Sequence, residues 1–404
     1  MTPPGPLRRR GPRPLPLHLT LAALRSSGWD AASPSSKPGS TPWSVIERFL
    51  RAEPGGAAPR TPPIDATLIA GIAAYRRHQW ARDLTDPPTV WAEGGSRMLD
   101  YRPAGDGPTV LVVPSLINRA YVLDLMDGHS MLRFLAAQGA RVLLLDWGWP
   151  GEVERRFSLT DYVAGRLERA MAAAVGLAGG KIVLAGYCMG GTLAVAAAER
   201  RPDLVRALAL LATPWDFHAA EPDRARQAAA CLPWLEPLLA FNATLPIDAL
   251  QTLFTVLDPF GVGDKYRHFA SVPPDSAAAR RFVALEDWLN DGVPLAAEVA
   301  RACLGQWYGE NAPARGAWRI AGVPVDPTTL RLPAFVAVPG RDRIVPPASA
   351  LALAAAIPGA VLHRPAAGHI GMVAGSNAEA ALWRPLLAWL GGVGPTATPC
   401  GRHS

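Results

Sequence analysis

Residues 183–198 read VLAGYCMGGTLAVAAA. An apolar run ends at Gly186, Cys188 stands in the pattern Gly-Tyr-Cys-Met-Gly, and an alanine-rich stretch follows. A short, nearly continuous apolar run bounded by glycine reads as a strand buried on both faces. TLAVAAAERR, by contrast, is built from good helix formers. The segment therefore predicts a strand, a sharp turn and a helix, with a cysteine at the turn. Gly186, Gly190 and Gly191 supply the small positions that let strand and helix approach closely. A thiol placed there meets the positive end of the helix dipole, which favours its anion. Cys188 is accordingly read as a nucleophile. Cys231 and Cys303 have no such setting and are read as structural.

On either side of this unit the same texture recurs. SRMLDYRP, TVLVVPSL, ARVLLLDW, ALALLATP and PAFVAVPG are further predicted strands. MLRFLAAQG, SLTDYVAGRLERAMAAAVG, SALALAAAIPG and AALWRPLLAWLGG are predicted helices between or after them. Strand–helix alternation with short connections gives an α/β protein with a mostly parallel, doubly wound sheet. The rhythm breaks from about His218 to Leu330, where helical pieces such as CLPWLEPLLAF, LQTLFTVLDPF, RRFVALEDWLNDG and EVARACLGQWYGEN follow one another. An insertion of that size reads as a helical cap over the C-terminal edge of the sheet, where ligands bind in open α/β folds. The division expected is a weakly ordered tail over 1–62, a core over 63–217 and 331–392, a cap over 218–330, and a C-terminal tail over 393–404. Within the tail LTLAALRSS and WSVIERFLRA suggest short helices, and 64–84 suggests a helix packed on the main domain.

Composition narrows the function classes. With 49% apolar and 18% charged residues in 404, the chain can bury a large core. No apolar run reaches the roughly 18 residues a membrane span requires. The net charge of +6 comes from scattered arginines, with lysine only at 37, 181 and 265. That pattern is not a nucleic-acid footprint, and the cluster LRRRGPR at 7–13 reads as a solvated basic tail. Proline and histidine interrupt LPLHLTLAAL, so it does not read as a signal peptide. Cysteines 188, 231, 303 and 400 form no CxxC pair and no metal spacing, and read as free thiols in a reducing compartment. A cytoplasmic protein without metal is expected.

A thiol at its ordinary pKa of about 8.5 is only a few per cent ionised at neutral pH, so a nucleophilic cysteine needs a base. In the hydrolase arrangement the chain order is nucleophile, acid, histidine, the last two on loops after late strands. GRDRIVPP, after PAFVAVPG, offers Asp342, with capping of the helix near Pro346 as its plainer role. AVLHRPAAGHIG ends in His369, whose Gly-His-Ile-Gly setting and position fit the base. His363 falls inside the last strand and reads as structural. His78, His129, His218 and His268 have no comparable setting. The oxyanion hole is expected from the backbone amides of Met189 and of Leu116 or Ile117, in the loop VVPSLINRAYVLDL. Losing one such donor typically costs about 2.7–4 kcal/mol. Cap aromatics Trp234, Phe254, Phe260, Trp288 and Trp307 are available as dry cover, and most are expected to be plain core.

Taken together, VPSLINRAYVLDL, VLLLDWGWP, SLTDYV, GYCMGG, TPWDF, LEDWLNDG, QWYGEN, DRIVPP and GHIG resemble polyhydroxyalkanoate (PHA) synthases, in family order across roughly 90–391. The likeness is to the short catalytic subunit of the two-component type. A cysteine elbow alone also suits dienelactone hydrolases, but INRAYVLDL and DWGWP do not. The resemblance implies an α/β-hydrolase fold with an inserted cap, and an acyltransferase polymerising 3-hydroxyacyl-CoA thioesters. Cys188 would accept the acyl group, His369 would be its base and Asp342 the supporting acid. No cofactor is implied, because the CoA thioester is the substrate. Implied partners are the growing polyester or its granule surface, and a second synthase subunit or a homodimer. Two departures stand out: Arg343 replaces the histidine usual after the family's aspartate, and the first 60 or so residues have no counterpart. The alternative is a thioesterase, esterase or PHA depolymerase using the same triad. A non-catalytic subunit is a third reading, disfavoured by the intact triad.

Overall fold

The computed structural model describes residues 9–26, 65–101, 107–257 and 259–393, with Cys400 and the WSVIERFLRA segment outside them. The chain divides into two units, Met1–Ala81 with Asp248–Asn290, and Arg82–Ile247 with Asp291–Ser404.

The larger unit is built on one eight-stranded sheet: β1 (Thr89–Glu93), β2 (Ser96–Asp100), β3 (Thr109–Val113), β4 (Arg141–Asp146), β5 (Ile182–Tyr187), β6 (Val205–Leu211), β7 (Ala334–Ala337) and β8 (Val361–His363). Their spatial order is β1-β2-β4-β3-β5-β6-β7-β8. The β1–β2 and β2–β4 pairs are antiparallel and the other five are parallel. Each predicted strand is present. β4, β5, β6 and β7 are buried along nearly their whole length, which is why they read as unbroken apolar runs. β1 lacked such a run, since it is an exposed edge strand that turns into β2 through Gly94 and Gly95.

Polar groups tie this edge to the body. Arg166, on a π-helical stretch at Asp161–Leu167, is 2% exposed and reaches Glu154, Glu93 and the Ser96 hydroxyl at 2.8–3.0 Å. Glu154, 3% exposed, also accepts the Gly95 and Gly151 amides at 3.1 Å. Burial opposes its ionisation, yet Arg166 and the Gly95 amide outweigh burial and hold its carboxyl below the ordinary range. A depressed folded pKa means that the unfolded chain binds the proton more readily. This contribution is therefore present above the unfolded pKa of about 4.5 and is lost as pH falls below it. Glu154→Ala would leave the buried guanidinium with Glu93 and Ser96 but without its buried carboxylate partner, and we expect it to lower unfolding free energy by about 1–3 kcal/mol. Chemical denaturation at pH 7 and pH 4 checks this: the difference between wild type and variant should shrink at the lower pH.

The smaller unit bears on three expectations. Residues 9–26 lie in the segment expected to be weakly ordered, and the short helix read in LTLAALRSS is present there as part of Leu15–Ser26. The helix Ala66–Arg77 has its apolar face, Leu68, Ile72 and Tyr75, covered by Tyr266, Phe269 and Val283. Those partners belong to the helices Gly261–Phe269 and Ala277–Asn290. At the helix crossing a Cβ on Gly71 would lie 1.8 Å from the Tyr266 carbonyl oxygen, so only glycine fits. The 218–330 insertion is thus shared between units, because 248–290 supplies apolar cover for the 66–77 helix. Nor is the basic cluster simply solvated. Arg9 makes a two-pronged pair with Asp287 at 2.7 Å, and Asp287 also accepts the Tyr75 hydroxyl at 2.8 Å. Proline and arginine density in the sequence hid this anchoring, which depends on residues more than 200 positions away.

Candidate active site

β5 delivers Cys188 to the C-terminal edge of the sheet, at the N-cap of the helix Met189–Arg200. The backbone there has φ 55° and ψ −130°, a left-handed conformation that a residue with a side chain rarely adopts. The strain is held in place by the Cys188 amide, which donates to Leu211 on β6 at 2.9 Å, and by packing that tolerates only glycine. A Cβ on Gly190 would meet the Val113 carbonyl at 2.2 Å, and one on Gly191 would meet the Thr213 hydroxyl at 1.9 Å. The elbow read from the sequence is present, and it leaves the thiol half-buried at a helix start.

β7 and β8 bring the other two residues. Asp342, in the loop after β7, accepts the Ile344 and Val345 amides at 2.8 and 2.9 Å through Oδ1. It does not cap the following helix, whose N-cap is Pro346. Its Oδ2 lies 2.6 Å from Nδ1 of His369, 27 positions further on. Both side chains are buried. With Nδ1 committed to the carboxylate, Nε2 is the nitrogen left for another partner. The imidazole lies close enough to Cys188 to feel the charge of its sulfur. Burial disfavours charge on the ring, but the negative sulfur of Cys188 and the carboxylate of Asp342 outweigh it and raise the His369 pKa to about 10. Such an array can hold a thiolate beside an imidazolium.

The donor candidates separate. The Ile117 amide donates to the Ser115 hydroxyl at 3.1 Å. Their loop is pinned by Trp147 of the DWGWP segment, whose indole N–H donates to the Pro114 carbonyl at 2.9 Å. The Met189 amide opens the helix, where backbone N–H groups have no intrahelical acceptor.

Sequence reasoning missed two aromatic neighbours. The Tyr187 ring lies 5.2 Å from that of His369, and its hydroxyl donates to the His369 carbonyl at 3.3 Å. Tyr308 feels the charge of Cys188 as well as burial, and both push its hydroxyl pKa up. It sits on a π-helical stretch at Ala302–Gly309, held by His218, whose ring is 2.8 Å from the Tyr308 carbonyl, and by Phe217, 5.0 Å ring to ring. Asn311 fastens the same two segments, donating to Asp216 and accepting the Phe217 amide at 2.9 Å each. The signal lies in TPWDF and QWYGEN, which carry Phe217 and Tyr308.

The remaining candidates fall elsewhere. His363, on β8, stacks on Phe335 and bonds the Ala381 carbonyl, as expected of a structural histidine. His78 bonds the Pro274 carbonyl. Burial raises the Cys231 thiol pKa and pushes that of Cys303 up to about 12, so neither is an activated thiol. Among the described residues no cluster of histidine, cysteine or carboxylates has metal-binding geometry, and no helix is long and apolar enough to cross a membrane. Arg343 is exposed. Trp288 and Trp307 are core, but Trp234 is not.

Comparison with known proteins gives consistent results. A family model described as the alpha/beta hydrolase fold matches residues 108–375. A poly(3-hydroxyalkanoate) polymerase subunit PhaC of Synechocystis sp. is 30% identical over 320 residues, covering 76% of this chain and 84% of that protein. Proteins of the same name match from Haloferax mediterranei, at 29% identity over 83% of this chain and 70% of that one, and from Allochromatium vinosum, at 29% over 70% and 80%.

Proposed function

Since the chain belongs to the poly(3-hydroxyalkanoate) polymerase family within the alpha/beta hydrolase fold, we propose that it polymerises 3-hydroxyacyl groups from CoA thioesters through an acyl-enzyme on Cys188. The observation that carries this reading is the Cys188–His369–Asp342 array at the elbow.

In the first half-reaction His369 holds the proton that leaves Cys188, and the thiolate attacks the thioester carbonyl. The developing oxyanion is met by the Met189 amide and by Leu116. Collapse breaks the bond to CoA, whose thiolate takes the proton from the imidazolium. One thioester is exchanged for another, so the acyl group keeps its reactivity. In the second half-reaction His369 takes the proton of an incoming 3-hydroxyl, the alkoxide attacks the acyl-enzyme, and an ester bond forms as the bond to Cys188 breaks, leaving its thiolate beside the imidazolium. Asp342 orients the ring and stabilises its cationic form throughout. No cofactor enters these steps. Attack by water would release a free acid instead, so polymerisation requires a dry site. A second synthase subunit or a second copy, and residence at a polyester surface, belong to the same proposal.

Purified protein incubated with 3-hydroxybutyryl-CoA should release CoA and yield ester-linked oligomers, read by thiol titration and mass spectrometry. Free 3-hydroxybutyrate as the sole acyl product would instead make the protein a thioesterase. Absence of CoA release, with the alanine variant of Cys188 behaving identically, would remove the catalytic reading.

A further inference from the structure

At the end of the sheet opposite Cys188, the larger unit carries a cavity of about 550 Å³. Its walls come from Lys181 just before β5, the last turns of the Met189–Arg200 helix, the start of β6 and the segment leading into β7. The six residues of β5 separate it from the thiol, about 20 Å along the strand. Cavities of this size hold small molecules, and no step of the reaction above uses this one.

Three cations line it: Lys181, Arg206 and Arg331. Ile182 pairs with Val205 and Val183 with Ala207, so Arg206 is the extra residue of a β-bulge between two central strands. A bulge re-aims the side chain it carries. Arg206 is half-buried, and among the described residues its guanidinium has no carboxylate partner. Partial burial of an unpaired cation costs free energy that an anion in the cavity would offset. Arg331 uses one nitrogen on the Thr328 and Leu330 carbonyls, at 2.7 and 3.0 Å, and the rest of its fork is uncommitted. Lys181 donates to the Pro202 carbonyl at 3.0 Å, and the carboxylate it influences, Asp203, is already paired with Arg201 at 2.7 and 2.9 Å.

The one carboxylate in the lining is Glu199. Its Oε2 accepts the Asp326 amide at 2.8 Å, while Oε1 is buried with no partner. Burial, reinforced by the Asp326 carboxylate, outweighs that amide and raises the Glu199 pKa to about 7. When protonated, the group is a donor that lacks an acceptor.

We propose that this cavity is a binding site for a small phosphate monoester, its dianion met by Lys181, Arg206 and Arg331 and its organic body resting on Val205 and Leu332. Guanidinium forks match phosphate oxygens in pairs, and three cations exceed what a lone carboxylate ligand would neutralise. Glu199 supplies a further donor while it holds its proton. The occupant is distinct from the acyl donor, because Cys188 lies at the other end of β5. The site therefore stands independently of the acyl-transfer reading.

Isothermal titration of the full chain with glycerol 3-phosphate at physiological ionic strength tests this. Wild type should bind saturably at one site, and acetate should not compete. Arg206→Gln and Arg331→Gln should each weaken binding by about ten- to hundredfold, the worth of a charge-assisted hydrogen bond. Neither guanidinium leaves a carboxylate stranded, so melting temperatures should stay near wild type. Proton linkage gives a second readout. The ligand is a dianion above about pH 7, whereas Glu199 donates only while protonated, so wild-type affinity should fall roughly tenfold between about pH 7 and about pH 8.5. Glu199→Gln keeps an N–H donor and an acceptor for the Asp326 amide, and its binding should lack that fall. Absence of saturable binding by wild type overturns the proposal. So does equal binding by Arg206→Gln, or displacement of glycerol 3-phosphate by acetate at similar concentration. A fall with pH that persists in Glu199→Gln overturns the donor role of Glu199.

Discussion

Cys188→Ala is expected to abolish acyl-enzyme formation and to lower CoA release by on the order of 10⁴–10⁶, the range found when a nucleophile is deleted from a triad. The substitution removes only sulfur. Alanine retains the Cβ, so the left-handed backbone at φ 55° is no more strained than before. Stability should change by less than about 1 kcal/mol. An acyl-CoA lacking the 3-hydroxyl makes the test direct, because its acyl group can be loaded but not extended. With wild type, intact mass spectrometry should show one added acyl group, located on Cys188 by peptide mapping and released by hydroxylamine. The variant should show none. An acyl group on any other residue, or turnover within a factor of ten of wild type, would show that the thiol is not the attacking atom.

Asp342→Asn should cost about 10³–10⁴ in kcat while leaving the fold in place. The amide is nearly the same shape as the carboxylate, and its carbonyl oxygen can still accept from Ile344 and Val345. It cannot supply negative charge to the imidazolium at His369, which is 2.6 Å away and buried. The sign of the accompanying pH effect follows. The carboxylate raises the His369 pKa, so its removal lowers that pKa. The thiolate–imidazolium pair then persists over a narrower range, and the alkaline limb of kcat/KM should move to lower pH. Iodoacetamide trapping of Cys188 as a function of pH gives an independent readout of thiolate. A variant with unchanged kcat and an unchanged alkaline limb would leave Asp342 with a purely structural part, holding the Ile344–Val345 turn.

Much of this architecture was legible before any coordinates. Strands buried on both faces announce themselves as unbroken apolar runs, and β3, β4, β5, β6 and β7 all do. The elbow was legible for a similar reason, since its steric demands fall on glycines within three residues of Cys188. Asp342 and His369 were found because each follows a recognisable strand in the required order. Trp234 could not be told from the core aromatics around it, because nothing local distinguishes an aromatic facing solvent from one facing a neighbour. Among the described residues, the weak order expected of the tail does not extend to 9–26, because Arg9 pairs with Asp287 and the helix Leu15–Ser26 packs in a cluster that includes Tyr266 and Phe269.

By itself, then, the chain's sequence determined the order of strands and helices, the turn that exposes Cys188, and which carboxylate and which imidazole were available to it. Periodicity and turn chemistry act over a few residues, and a few residues are enough to encode them. Tertiary structure alone decided that Asp342 grips Nδ1, that Ser115 engages the Ile117 amide, and that the Tyr187 ring lies beside that of His369. It also decided that Trp234 and Phe241 face outward. These outcomes depend on where distant segments come to rest against one another, and that is set by packing of the whole rather than by any local pattern.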